Sequence, residues 1–177
     1  MARTVLGFDE WGDGMDDEEE DPILVRQWLD QEDAWMRDTV RRVGWAIQYV
    51  MGEEREPSFA YTVGLFGFDH PEIVVFGLSA GSSEWLLNRL GALVKSGAPM
   101  GDGDEVTIGA AGFPVSLFTL PNPESVLFAA NSFYQRPPGD PVPALQAVYP
   151  DDNGRYPWEP GYALKPYLQP MPGAHSA

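Results

Sequence analysis

Apolar residues recur at spacings of three, four and seven along two stretches of the chain, which is the period of a helix with one buried face. The first stretch covers residues 21–43, where Asp21 is a typical N-cap and Pro22 a typical first helical residue. Its stripe consists of Val25, Leu29, Met36, Val40 and Val43. We predict a first helix here, with Trp28 and Trp35 beside the stripe and in the core.

The second periodic stretch covers residues 83–96 and is expected to begin at a Ser82 or Ser83 cap. Its stripe consists of Leu86, Leu90, Leu93 and Val94. A third helix is predicted over residues 122–134, because Asn122-Pro123-Glu124 supplies a cap, a first-position proline and an acid near the N-terminus.

Six shorter segments are rich in β-branched and aromatic residues, which predicts strands. They cover residues 45–50, 58–63, 72–76, 105–108, 114–119 and 145–149. Residues 73–76 are apolar throughout and are expected to be buried on both faces of the sheet. Short turns between neighbouring strands favour a mostly antiparallel sheet. The predicted fold is α+β, with five to six strands and about three helices in the order α-β-β-β-α-β-β-α-β.

Composition divides the chain into three regions. Residues 1–21 hold nine acids and a single base, Arg3, so residues 1–20 are predicted to be an acidic flexible arm. Residues 21–162 form the single α+β domain. Ten of the 17 prolines lie from Pro137 onward, which predicts that residues 163–177 are a Pro-rich irregular tail.

The net charge of −16 limits the classes of partner. Such acidity repels phosphate backbones, so no nucleic-acid binding is expected, whereas a basic protein partner would be attracted. The chain has no cysteine, which excludes disulfides and thiolate metal sites. The longest apolar stretch, residues 73–78, is far too short to cross a membrane, and the N-terminus shows no signal pattern. We therefore expect a cytoplasmic protein.

Candidate chemistry concentrates around His70, one of only two histidines. It lies between Asp69 and Glu72 in the sequence, as a general base and its orienting carboxylate would. His70 and Glu72 are therefore the candidate catalytic residues. The alternative that stays open is a turn that leads into a strand, with His70 hydrogen-bonded to the backbone.

Other motifs give weaker signals. The acids of Asp151-Asp152-Asn153-Gly154 suggest a divalent cation, but the glycine comes too early for an EF-hand and Arg155 follows. No lysine stands in P-loop position near Gly101 and Gly103, and the chain has no G-x-S-x-G elbow. Two histidines cannot form a three-histidine zinc site. We predict no metal site.

The chain contains the motifs Gly44-Trp45, Tyr61-Thr62-Val63-Gly64-Leu65 and His70-Pro71-Glu72, followed by Gln146, Tyr149-Pro150-Asp151 and Pro157-Trp158. Together they resemble the bacterial family known as domain of unknown function 4262. The resemblance covers roughly residues 40–162 and implies a shared site without naming an activity. Carried onto this sequence, it implies that the positions to inspect are His70 and Glu72 together with the candidate ligand-binding residues Trp45, Tyr61, Thr62, Asp151 and Trp158.

The sequence contains no complete catalytic set, so we favour a binding or accessory domain over an enzyme. Its cleft is expected near Tyr61, Thr62 and His70, with a small molecule or a basic protein as partner and no cofactor. One alternative is a small enzyme, hydrolytic or flavin-binding and split-barrel-like, that uses His70 as acid and base. The other is an immunity-type protein that neutralises a basic toxin.

Overall fold

The computed structural model of the chain describes residues 3–5 and 22–171, and places their strands in one sheet between helices. The strands are β1 (Arg3–Val5), β2 (Ala46–Val50), β3 (Phe59–Val63), β4 (Glu72–Phe76), β5 (Glu105–Ile108), β6 (Phe113–Thr119) and β7 (Ala144–Val148). The helices are α1 (Pro22–Val43), α2 (Ala80–Lys95) and α3 (Phe128–Phe133). Short 3-10 turns cover Leu65–Phe68, Pro123–Ser125 and Pro166–Leu168.

The sheet runs in the order β1-β2-β3-β4-β7-β6-β5. Four of the neighbouring pairs are antiparallel, while β1–β2 and β4–β7 are parallel. From Pro22 onward the element order is the predicted one, and the α+β class with a mostly antiparallel sheet is confirmed. Strand β1 is an additional element that the sequence did not predict, and it lies within the stretch expected to be an arm. Residues 6–20, the Asp21 cap, the side chain of Val25 and residues 172–177 lie outside the described part.

Helices cover both faces of the sheet. Helix α2 packs on one face, where Leu86, Leu87 and Leu90 meet the strands. Helices α1 and α3 pack on the other face, where Met36 and Ala130 join a second cluster. All five residues of β4 are buried, as the apolar run predicted for residues 73–76. None of the described helices is long and apolar enough to cross a membrane.

The expectation that Trp28 belongs to the core is wrong, because its side chain is 45% exposed, and Leu29 is also exposed. Helix α1 has 22 residues, so it is roughly 33 Å long. The five-residue strand β2 beneath it spans only about 17 Å. The C-terminal half of α1 therefore reaches the sheet through Met36 and the half-buried Trp35, while the N-terminal half extends past it.

Two predicted helix starts differ from the structure. Helix α2 is capped by Ser79, whose hydroxyl accepts from the Ser82 amide at 3.3 Å, and not by Ser82 or Ser83. The third predicted helix divides into a 3-10 turn and α3. The break allows Leu127 to insert fully into the core. It also brings the Ala129 amide to the hydroxyl of Tyr61, at 3.1 Å.

The chain beyond residue 162 is irregular but packed. Gln169 is almost completely buried, and its side-chain amide accepts from the Tyr149 backbone amide and donates to the Tyr149 carbonyl. Gln146 Nε2 donates to the Pro170 carbonyl at 2.7 Å. The packed unit therefore extends to about residue 170, past the boundary expected at residue 162.

Candidate functional site

The carboxylate of Glu72 is fully buried and accepts four hydrogen bonds. The Thr62 hydroxyl donates to it at 2.6 Å, and the amides of Gly64, Leu65 and Phe66 donate at 2.7, 3.2 and 3.1 Å. We call these four donors the Glu72 cradle. It ties the first residue of β4 to the end of β3 and to the 3-10 turn that follows it.

The cradle forms because a helical turn begins at its N-terminus with amides that have no partner inside the turn. Three such amides, those of residues 64–66, point at one place and favour an anion there. Gly64 makes the turn feasible, with φ +136°. A Cβ at this position would lie 2.4 Å from the Gly44 carbonyl oxygen and 2.7 Å from Trp45 Cα. No side chain fits, so the glycine is a steric requirement.

Thr62 connects the cradle to the sheet. Its hydroxyl donates to Glu72 and accepts from the Ile73 amide at 2.9 Å. Each hydrogen-bonding partner of this buried hydroxyl is therefore supplied by β4. The segments Tyr61-Thr62-Val63-Gly64-Leu65 and His70-Pro71-Glu72 are consequently two halves of one hydrogen-bonded unit.

Burial controls the ionisation of the groups around the cradle. It raises the pKa of Glu72 to about 7, although the hydrogen bonds from Thr62 and the three amides act in the opposite direction. Burial also raises the pKa of Tyr61 to about 12, with a further increase from the charge of Glu72. Burial and the same carboxylate raise the pKa of Tyr134, whose hydroxyl accepts from the Gly67 amide at 3.2 Å.

The expectation that Glu72 orients His70 is wrong in this structure, because the carboxylate is occupied by its cradle. His70 instead places Nδ1 2.7 Å from the Pro71 carbonyl oxygen and Nε2 3.0 Å from the Met100 carbonyl oxygen. A neutral imidazole has one N–H and can donate to only one of these carbonyls. The backbone-bonded turn, which the sequence left open, is therefore the arrangement observed.

His70 forms part of the wall of a surface depression with a volume of about 480 Å³, which we call the His70 hollow. Its lining consists of Phe68, Asp69, His70, Val94, residues 97–101 and Asp104. One side comes from the loop between the 3-10 turn and β4, and the other from the end of α2 and the turn before β5. The Glu72 cradle holds the base of the first side.

The remaining candidate residues do not line this hollow. Tyr61 and Thr62 are buried in the sheet, with exposures of 3% and 0%. Trp45 is buried too, and its Nε1 donates to Asn88 Oδ1 at 3.1 Å. Gly91 leaves room for this indole, since a Cβ there would lie 2.6 Å from the ring. These three residues support the structure around the hollow from within.

Asp151 organises the loop after β7. Its carboxylate accepts from the backbone amides of Asn153, Arg155 and Ala163 at 2.7 to 2.9 Å. The hydrogen bond that the Arg155 backbone amide donates is the main cause that lowers the pKa of Asp151. Within the described residues, no group of three or more histidine, aspartate or glutamate side chains could hold a metal ion.

Trp158 belongs to an aromatic cluster in the same loop region. Its ring stacks on Tyr156 at 4.6 Å between centroids, and it meets Phe118 edge-on at 5.5 Å. The side chain of Trp158 is 38% exposed, whereas the other two aromatic candidates, Trp45 and Tyr61, are buried. Trp158 and Asp151 thus mark a second region of the surface, outside the hollow.

Sequence reasoning missed several parts of the site. Asp104 and Met100 line the hollow, yet Gly101 and Gly103 beside them suggested only a phosphate loop, which the missing lysine argues against. The role of Tyr134, next to the cradle, gave no local signal. Gly64 stands in the Tyr61–Leu65 motif, but its close approach to Gly44 and Trp45 follows only from the fold.

Comparison with known families bears on these residues. The sequence profile of the family described as domain of unknown function (DUF4262) matches residues 39–163. The chain belongs to the DUF4262 family. Searches of curated proteins and of solved structures found no match. The matched span contains the Glu72 cradle, the whole lining of the His70 hollow and the Asp151 loop, so the DUF4262 domain includes every candidate residue discussed above.

Proposed function

We propose that this DUF4262 chain is a binding or accessory domain that holds its ligand in the His70 hollow. The observation that carries the proposal is the connection between hollow and cradle. The loop that presents Phe68, Asp69 and His70 begins at the amides bound by Glu72 and ends at Glu72 itself. One side of the hollow is therefore fixed by buried hydrogen bonds.

Such fixation has an energetic logic. A buried carboxylate loses several kcal/mol of hydration, which only good hydrogen bonds offset. In addition, Asp69 adopts a left-handed conformation with φ 62°, which costs a non-glycine residue about 1 kcal/mol. Fixing a binding surface before the ligand arrives reduces the entropy lost on binding, which is the benefit that we assign to the cradle.

In this proposal Tyr61 and Thr62 act as supports and His70 as part of the wall. Binding suits His70 better than proton transfer, because both ring nitrogens already face backbone carbonyls. A hydrolytic or flavin enzyme would have to release the ring from Pro71 or Met100 first. Absorbance of the purified protein in the flavin bands, with and without added flavin, tests that alternative separately.

A ligand screen with a blocked hollow tests the proposal. Ala98 lines the hollow and is only half exposed, so Ala98→Trp fills the space with little change to the core. Ala92→Trp is the matched control, because Ala92 is exposed on helix α2, six residues earlier in the chain, and does not line the hollow. We expect a ligand found by thermal shift to bind the wild type and Ala92→Trp but not Ala98→Trp. Equal binding to all three would contradict the proposal.

A further inference from the structure

We infer that the His70 hollow takes a positively charged group, an ammonium or a guanidinium on an apolar stem. The inference deepens the proposed function and rests on it. It concerns the chemistry of the ligand, which the volume and the position of the hollow leave open.

Two carboxylates line the hollow, those of Asp69 and Asp104. The carboxylate of Asp104 accepts one hydrogen bond from the Gly101 amide, at 2.8 Å. An ionised carboxylate offers about four acceptor positions, so Asp104 keeps capacity for a donor in the hollow. Asp69 also lines the hollow and is exposed, so it lies on the rim.

The end of helix α2 contributes the same sign of charge. Val94, in the last turn, and Gly97, just past the end, both line the hollow. A helix of 16 residues carries partial negative charge at its C-terminus. The carbonyls there are capped by the amides of Ser96, Gly97 and Ala98, but the dipole of the whole helix still favours a cation at this end.

No lysine or arginine is among the residues that line the hollow. Lys95 Nζ donates to the Val43 carbonyl at 2.7 Å and lies 6.0 Å above the ring of Trp45, towards α1. His70 is the only basic residue in the lining, and its nitrogens face Pro71 and Met100. The titratable residues of the lining are therefore two aspartates and one histidine.

The rest of the lining is apolar and suits the stem of the ligand. Val94, Pro99 and Met100 form the sides, and the partly exposed ring of Phe68 lies at the edge. An aromatic face attracts a cation placed within about 6 Å of its centroid. Two aspartates, an aromatic ring at the rim and an apolar wall together match the side chain of arginine or lysine, or a free alkylamine.

The test is a titration of the full chain, followed by ¹H–¹⁵N NMR, with Nα-acetyl-arginine amide and with its neutral isostere, Nα-acetyl-citrulline amide. We expect the amides of residues 68–70 and 97–104 to shift with the arginine compound, and the citrulline compound to bind at least about tenfold more weakly. Asp69→Asn and Asp104→Asn should each weaken binding about two- to fivefold. Asp152→Asn, which removes the same charge from an exposed loop residue outside the hollow, should leave it unchanged.

A pentapeptide with one central arginine distinguishes the two sources of such a group. Tenfold tighter binding of the peptide places the cation on a protein partner, whereas equal affinity places it on a small molecule, and both support the inference. Equal binding of arginine and citrulline compounds, or a neutral or anionic ligand in the hollow, would overturn the inference but keep the proposed function. Failure of every screened ligand to bind the hollow would overturn both.

Discussion

Replacing Thr62 with valine separates the cradle from ordinary core packing. Valine has nearly the same shape, prefers strands and is more apolar, so packing alone favours the substitution at this fully buried site. The cradle favours the opposite outcome. Valine removes the donor that lies 2.6 Å from Glu72 and the acceptor of the Ile73 amide, and leaves that buried amide without a partner.

The magnitude follows from the two lost hydrogen bonds. Above the Glu72 pKa of about 7, where the carboxylate is charged, a hydrogen bond to it contributes about 1.5–3 kcal/mol, and a buried donor left without a partner costs about 1–3 kcal/mol. Allowing for relaxation of the structure, we expect Thr62→Val to lower the free energy of unfolding by about 3 kcal/mol. For a domain of this size, that corresponds to a fall in Tm of roughly 6–12 °C.

Urea denaturation followed by tryptophan fluorescence gives the free energy of unfolding, and Thr62→Ser supplies the matched control. Serine keeps the hydroxyl and loses one methyl group, so it should cost only about 1 kcal/mol. The cradle therefore predicts that serine is tolerated better than valine. If the valine variant is as stable as the wild type, or more stable than the serine variant, the reasoning about Thr62 is refuted.

Three further predictions concern the same region. Burial raises the pKa of Glu72 from 4.5 to about 7, so the folded chain keeps a proton that the unfolded chain loses above pH 4.5. The free energy of unfolding should then fall by about 2.5 kcal/mol between pH 5 and 7.5, and urea titrations should show no such fall for Glu72→Gln; a rise in the wild type would contradict the sign. Gly64→Ala should cost at least about 3 kcal/mol by thermal unfolding, because its Cβ would collide with the Gly44 carbonyl, whereas Gly81→Ala in open space on α2 should be neutral or stabilising. Tyr61→Phe should cost about 1 kcal/mol in urea, since the partly buried amide of Ala129 loses its acceptor, and an unchanged midpoint would refute that bond.

The order of helices and strands could be predicted from the sequence because local patterns determine it. The apolar run at residues 73–76 indicated a strand buried on both faces, and β4 is flanked by β3 and β7 with helices above and below. Exposure of Trp28 could not be predicted in the same way. It depends on how far α1 extends beyond the sheet, which is a property of the assembled fold.

In the candidate site, too, the sequence identified the residues, whereas their roles depend on the assembled fold. Motif reading found Thr62, Gly64, His70 and Glu72, and all four lie in or next to one hydrogen-bonded loop. Their roles could not be read from spacing. His70 and Glu72 are two residues apart, yet one faces the hollow and the other faces the cradle, because the amides of the 3-10 turn attract the carboxylate.

The position of ligand-induced shifts tests the central claim, that Tyr61, Thr62 and Glu72 support a binding hollow without contacting the ligand themselves. The measurement is a ¹H–¹⁵N NMR titration with the best ligand from an unbiased screen. We predict that the largest shifts fall on residues 68–70 and 97–104, which form the hollow. Shifts confined to residues 151–159, around Asp151 and the Trp158 cluster, would contradict the account.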